Sequence, residues 1–324
     1  MSLFAATLES TVRLATPLLL AAMGEIIAER SGVLNLGVEG MMLGGALGGF
    51  AAAILTGSIW IGFGVGILAG MALALIHAVI CISLKADQVI SGIMLTLLGI
   101  GLTTYFGRGY VGQNIEGFQR IAIPGLVEIP VLGTAFFSIT ALDYLTLLLI
   151  PIVWYFLFRT NIGAEITAVG EDPETADTAG IPVFRIQYAC VLIGGAMAGA
   201  AGAQLSLAFT NFWGVEMVAG RGWIAVALVI FAQWRIFPLL GAAYFFAAID
   251  ALSFRSGAVR EWVIDTVAVA SLEPAFHFLL NPQVMSTYPY ILTIVVLWYV
   301  MRQGNLNELG APSSLLKAYT REQS

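Results

Sequence analysis

Charge is what the sequence has least of: 10% of its residues are Asp, Glu, Lys or Arg, while 59% are hydrophobic and the mean hydropathy is +0.91. A soluble domain carries roughly 25% charged residues, so a water-soluble fold is excluded. The only lysines are Lys85 and Lys317, and neither follows glycine. That removes the Gly-Lys-Ser/Thr of a phosphate loop, so any ATP hydrolysis coupled to this chain has to occur on another. His77 and His277 stand far apart, and Cys81 and Cys190 both fall inside apolar runs. Neither a zinc-spaced cluster nor a disulfide is expected from them, and no catalytic constellation or metal site emerges. A net charge of −6 without a basic patch excludes nucleic acid as a partner. The N-terminus lacks a basic region ahead of a short apolar core, so the first apolar run reads as a retained helix, not a leader.

Long apolar runs are abundant. A membrane span needs about 20 such residues. The sequence predicts an all-α polytopic bundle, a single domain over 1–324, with nine membrane helices at 8–28, 37–56, 59–84, 89–106, 143–158, 184–207, 222–234, 237–253 and 288–301. Long loops are expected at 108–142 and 255–287, and a polar tail at 302–324. With segment 159–185 in the cytoplasm, eight Lys and Arg fall inside and six outside, Arg221 among the latter. That bias places the N-terminus outside and the C-terminus inside. Gly62, Gly66 and Gly70 repeat every four residues, as do Gly40 and Gly44, and Gly195 and Gly199. This spacing lets helix backbones approach closely in lipid. Gly37-Val38-Glu39 and Gly214-Val215-Glu216 each precede a helix, on opposite sides of the membrane, as an inverted repeat requires.

Two polar stretches interrupt the apolar pattern. In 159–185, Asp172 before Pro173 is a helix-start signal, 174–179 can carry a short helix, Gly180 ends it and Pro182 prevents its resumption. A short capped helix between membrane helices suits contact with something outside the membrane; an ordinary surface loop is the plainer alternative. In 31–40, Asn35 and Glu39 lie between glycines. Broken backbone at membrane depth is tolerated only where protein or water surrounds it, so this turn is expected to be buried or to line a cavity. Glu25, Glu39, Asp143 and Glu216 stand near helix ends and read as caps or interfacial groups. Asp250 lies inside the eighth helix, where a carboxylate marks a functional site by default, or else bonds to a neighbouring helix or a water-filled cavity. An ion-coupled secondary transporter would use such a residue.

The motifs ERSGVLNLGVEGMML, AVGEDPETADTAGI and GVEMVAGRGWIAVALVI, in that order, resemble permease subunits of bacterial ABC importers in the ribose, branched-chain amino-acid and nucleoside superfamily. The similarity covers nearly the whole chain and is nearest to the shorter permease of nucleoside and simple-sugar systems, which lacks an extra N-terminal helix. The resemblance implies a type II-like permease bundle in the bacterial inner membrane that forms the solute pathway, with no cofactor of its own and ATP and magnesium held by two ATPase subunits. It implies a second permease subunit, a longer sister or a second copy, a periplasmic or lipid-anchored binding protein, and surrounding lipid. Gly170, Glu171, Asp172, Pro173, Ala176, Asp177 and Gly180 would form the coupling helix that docks on the ATPase, with Ala176 on the docking face. Many relatives carry a basic residue where this chain has Glu174, so that surface is more acidic here. For a nucleoside, aromatic stacking beside amide and hydroxyl groups is suitable. Asn211, Phe212 and Trp213 at the outer mouth, with Asn35 and Thr96 deeper, are the expected pathway residues, and Glu39 and Asp250 the buried polar ones.

Overall fold

The computed structural model describes residues 3–259, 261, 278–285, 287–303 and 310–320. His277 and most of the expected loop at 255–287 lie outside them. Among the described residues, seven helices are long and apolar enough to cross a membrane: Phe4–Arg30, Val38–Thr56, Ile59–Ser83, Gln88–Tyr110, Ala141–Arg159, Val183–Phe209 and Ile236–Ser253. The other two expected spans are helical but shorter, Arg221–Phe231 with 11 residues and Tyr288–Gln303 with 16.

In chain order these are α1 (Leu3–Arg30), α2 (Val38–Thr56), α3 (Ile59–Ala78, continued by a π-helical turn to Ser83) and α4 (Gln88–Gly107). There follow α5 (Leu132–Phe137), α6 (Ala141–Arg159), α7 (Asn161–Glu171) and α8 (Pro173–Thr178). The last are α9 (Val183–Gln204, continued by a π-helical turn to Phe209), α10 (Arg221–Phe231), α11 (Ile236–Ser253) and α12 (Tyr288–Gln303).

Local chemistry sets the boundaries. The Ser58 side chain accepts from Ile61 N and Asp87 from Ile90 N, opening α3 and α4, while Thr140 and Asp143 form a capping box on α6. Gly57, in the left-handed conformation at φ 68°, closes α2.

The glycine rows at 62/66/70 and 195/199 do what their spacing predicts. A Cβ on Gly66 would stand 2.6 Å from that of Ala203 and 2.8 Å from the Gly45 carbonyl, and one on Gly62 2.6 Å from the Gly49 carbonyl. Gly70 meets the Gly195 carbonyl and Gly45 the Gly199 carbonyl more closely still. α2, α3 and α9 thus touch backbone to backbone, with α2 parallel to α9 and α3 antiparallel to both. Gly40 belongs to another contact, against Leu95 and Gly99 of α4.

Segment 108–142, expected as loop, has structure of its own. Arg120–Ala122 (β1) pairs antiparallel with Ser138–Thr140 (β2), and α5 lies between them. Its long-range ties explain the order: Ile115 N donates to Asn211 O, Phe118 N to Leu207 O, and Arg120 pairs with Glu9 at 2.5 Å.

Candidate functional site: two interrupted helices and a polar segment

α1 ends at Arg30, and the chain crosses 31–37 without helix before α2 begins. The Gly45–Gly199 contact sets Val38 roughly 13 Å along α9 from its start, at 1.5 Å per residue. The interruption therefore lies inside the bundle, and its backbone groups find side-chain partners on four helices. Leu34 N donates to Gln88 Oε1 (2.8 Å), Asn35 N to Glu25 Oε1 (2.9 Å) and Gly37 N to Asn35 Oδ1 (2.9 Å). The Leu34 carbonyl meets His77 Nε2 at 3.0 Å, the Leu36 carbonyl accepts from Thr96 Oγ1 at 3.1 Å and the Ser31 carbonyl from Gln187 Nε2 at 3.3 Å. Buried backbone without such partners would be costly, so of the two expected settings for 31–40 the structure takes burial in protein.

This corrects the reading of Glu25. It caps no helix: it stands inside α1, 1% exposed, and serves the interruption. One turn on, Glu29 accepts from Trp234 Nε1 at 2.5 Å. Asp143 does cap α6, and it also accepts from Thr16 Oγ1 at 2.8 Å.

Glu39 sits in the first turn of α2 but caps another helix. Its carboxylate accepts from Gly220 N at 2.9 Å and Gly222 N at 2.7 Å, at the start of α10. An anion there meets the positive ends of two helix dipoles at once. The far end of α10 reaches α1, where Arg30 donates to the Trp234 carbonyl at 3.4 Å. α2 and α10 are therefore two interrupted helices whose N-termini meet inside the bundle and which run away from each other. Arg221, counted above as an outer-loop charge, is instead the first residue of α10.

The five expected pathway residues form two groups. Asn35 is 0% and Thr96 4% exposed, and both hold the interruption. Asn211, Phe212 and Trp213 follow α9; Trp213 and Phe212 are bridged to Val111 and Asn114, and the Asn211 carbonyl accepts from Ile115 N. Trp213 is not an open mouth: it is 1% exposed and packs on Gly107, leaving Phe212, at 43%, as the exposed ring.

Segment 159–185 holds two helices, not one. α7 is capped by Thr160, whose Oγ1 accepts from Gly163 N at 3.1 Å. α8 follows the expected signals: Asp172 Oδ1 accepts from Thr175 N at 3.1 Å, Pro173 is its first residue, and Gly180 at φ 86° ends the turn. The Thr175 hydroxyl and amide together hold the Asp172 carboxyl below the usual aspartate range. A depressed carboxylate contributes above its unfolded value and loses that contribution as pH falls through the folded one. Amide-exchange protection of α8 is therefore expected to stay constant from alkaline pH down past the ordinary aspartate value of about 4 and to fall only below it. Loss of protection already near neutrality would contradict this cap.

Ala176 faces the wrong way for docking. It is 3% exposed, in a small apolar cluster with Val169, Val183 and Tyr319. The tail supplies that lid: Tyr319 donates to Asp177 at 2.9 Å and stacks near Phe184, while Ser314 N donates to the Gly170 carbonyl at 2.9 Å. Gly170 is likewise inside, against the Arg30 carbonyl, whereas Glu171, Asp172, Glu174 and Gly180 are exposed and Pro173 and Asp177 half-buried. A Tyr on a tail gives no sign in sequence of which helix it covers. Glu25 and Glu29 were within reach of the argument applied to Asp250.

The described residues form a polytopic helical bundle in which α2 and α10 begin inside the bundle, the architecture of a multi-pass membrane protein. Residues 7–272 match the family described as branched-chain amino acid transport system permease component, and the chain belongs to that family of ABC-importer permeases. It is 57% identical, over 99% of both chains, to a protein of the archaeon Haloferax volcanii provisionally assigned as a glucose ABC transporter permease. It is 35% identical, over 89% of both, to the guanosine ABC transporter permease protein of Bacillus subtilis. A second glucose ABC transporter permease protein of Haloferax volcanii is 24% identical over 72% of this chain and 66% of its own. An archaeal relative this similar removes the ground for restricting the chain to bacteria. Membership in the family also replaces the ion-coupled reading, and the chain is not itself the catalytic subunit.

Proposed function

We propose that this chain is one of two permease subunits of a sugar or nucleoside importer, paired with a longer sister, in the cytoplasmic membrane of its cell. The carrying observation is the Glu39 junction, where two interrupted helices meet N-terminus to N-terminus. Interrupted helices of opposite direction, one in each half of the chain, suit an inverted repeat relating α1–α4 to α9–α12 and a nine-helix bundle. The relatives favour hexose or nucleoside over branched-chain amino acids. The N-terminus lies outside with 108–142, and 159–185 lies inside with the tail, so α8 and the exposed Glu171, Asp172 and Glu174 meet the ATPase, which holds ATP and magnesium. An external binding protein delivers solute to the face carrying Phe212.

The chain purified alone should not hydrolyse ATP. Reconstituted with its ATPase, the second permease and the binding protein, it should take up D-glucose or guanosine only when ATP is supplied. ATP hydrolysis by the isolated homogeneous subunit, or uptake driven by an ion gradient without ATP, would refute the proposal.

A further inference from the structure

Beside the Glu39 junction three polar side chains converge from separate helices. Arg221 opens α10, Asp250 lies in the last turn of α11 and Tyr290 in the first turn of α12. Asp250 lies about 21 Å along α11 and Arg221 about 15 Å along α10 from the connection joining these helices, so both fall within the depth of a hydrocarbon layer about 30 Å thick. Asp250 is within electrostatic range of Arg221, and Tyr290 within range of both and of Glu39. The Tyr290 hydroxyl donates to the Ala219 carbonyl at 3.2 Å, and Arg221 Nη1 to the Val218 carbonyl at 3.0 Å.

The acid and the base do not close on each other. Among the described residues the one ion pair within 4 Å is Arg120–Glu9, and the Asp250 carboxylate accepts no hydrogen bond. Asp250 and Arg221 are partly exposed and Tyr290 is 46% exposed. Charged groups at membrane depth do not face lipid; they face protein or a water-filled space. A carboxylate and a guanidinium that lie within electrostatic range without forming an ion pair, with an aromatic ring beside them, suit a neutral, hydroxyl-rich solute. The carboxylate accepts from two neighbouring hydroxyls, the guanidinium donates to a third oxygen, and the ring covers an apolar C–H face.

We propose that Arg221, Asp250 and Tyr290 form a station on the solute pathway that recognises vicinal hydroxyls, the feature shared by a hexose and by the ribose of a nucleoside. The proposal rests on the sugar-or-nucleoside reading above and adds the residues that touch the solute.

The test uses the complete importer in proteoliposomes, in a Cys81→Ala, Cys190→Ala background. Asp250→Cys should react with a membrane-impermeant trimethylammonium methanethiosulfonate, and D-glucose or guanosine with binding protein should slow that reaction. No reaction, with or without ATP, overturns the station. Protection by leucine and by neither polyol overturns its solute chemistry. Asp250→Asn and Tyr290→Phe should each lower solute delivered per ATP hydrolysed, the former by about tenfold, the scale of a lost hydrogen bond to a charged group. Hydrolysis stimulated by the binding protein should persist, and Asp250→Glu should restore part of the transport. Uptake and hydrolysis falling in equal proportion would overturn the assignment, as would uptake of Asp250→Asn within about twofold of wild type. If the wild type imports neither D-glucose nor guanosine, the substrate reading fails, and the labelling of Asp250→Cys still decides whether water reaches the Asp250 position.

Discussion

Gly202→Val is expected to prevent the permease from reaching a folded state. A Cβ at Gly202 would fall within contact distance of the Met42 carbonyl oxygen, and would also stand 2.7 Å from the Met42 carbonyl carbon and 2.9 Å from Ala46 N. Every one of these atoms is backbone of α2, so no side chain can rotate away. Overpacking a core costs about 1–3 kcal/mol when side chains can give; here α2 and α9 would have to separate. Their separation would also break the Ser206 hydroxyl bond to the Ala46 carbonyl at 2.8 Å and open the Gly45–Gly199 contact. Folded protein recovered from membranes in mild detergent should fall to a small fraction of wild type. Gly64→Val is the control, since a Cβ there meets nothing within 4 Å. Equal recovery of Gly202→Val and wild type would mean that the α2–α9 approach is not a rigid part of the fold.

The same contact shows what could be read from sequence. Four-residue glycine spacing announces close approach because the helix repeat puts those positions on one face. The cap at Asp172, the stop at Gly180 and the interruption at 31–37 were legible for a similar reason: each depends on residues within a few positions of one another. What was not legible depends on distant partners. Glu39 follows the local rule for a helix N-terminus, yet its partners are 181 and 183 residues away. Asn35, Thr96 and Trp213 are polar or aromatic residues of the kind a pathway needs, but the first two are engaged by the interruption and the third by Gly107. The strand pair in 108–142 takes its order from α1 and from the end of α9, which no local pattern reveals. α10 was read as a full span because apolar composition does not say how deep a helix begins; the Glu39 cap does.

Ala176→Glu should separate membrane insertion from coupling. The family resemblance put Ala176 on the docking face, but its methyl group is enclosed by Val169, Val183 and Tyr319. A charge left unpaired in a buried site costs about 3–5 kcal/mol. Here the glutamate has a way out, which is to push the tail aside and reach water. That exit breaks the Tyr319–Asp177 bond and the Tyr319–Phe184 contact, and exposes the apolar floor of α7 and α9. Only the 170–184 turn and the tail are involved, so the glycine-packed helices should insert and assemble normally. The surface proposed to meet the ATPase, however, would be rebuilt, and a loss of about 1.4 kcal/mol in that contact is tenfold in affinity. ATPase copurifying with the mutant at equal membrane levels should drop by at least about tenfold, and limited proteolysis should cut the tail faster. Tyr319→Phe keeps the lid and removes one hydroxyl bond, so it should retain most of the ATPase. If Ala176→Glu holds the ATPase and protects its tail as wild type does, the tail is not the lid of α8, and the proposed coupling surface has to be sought elsewhere.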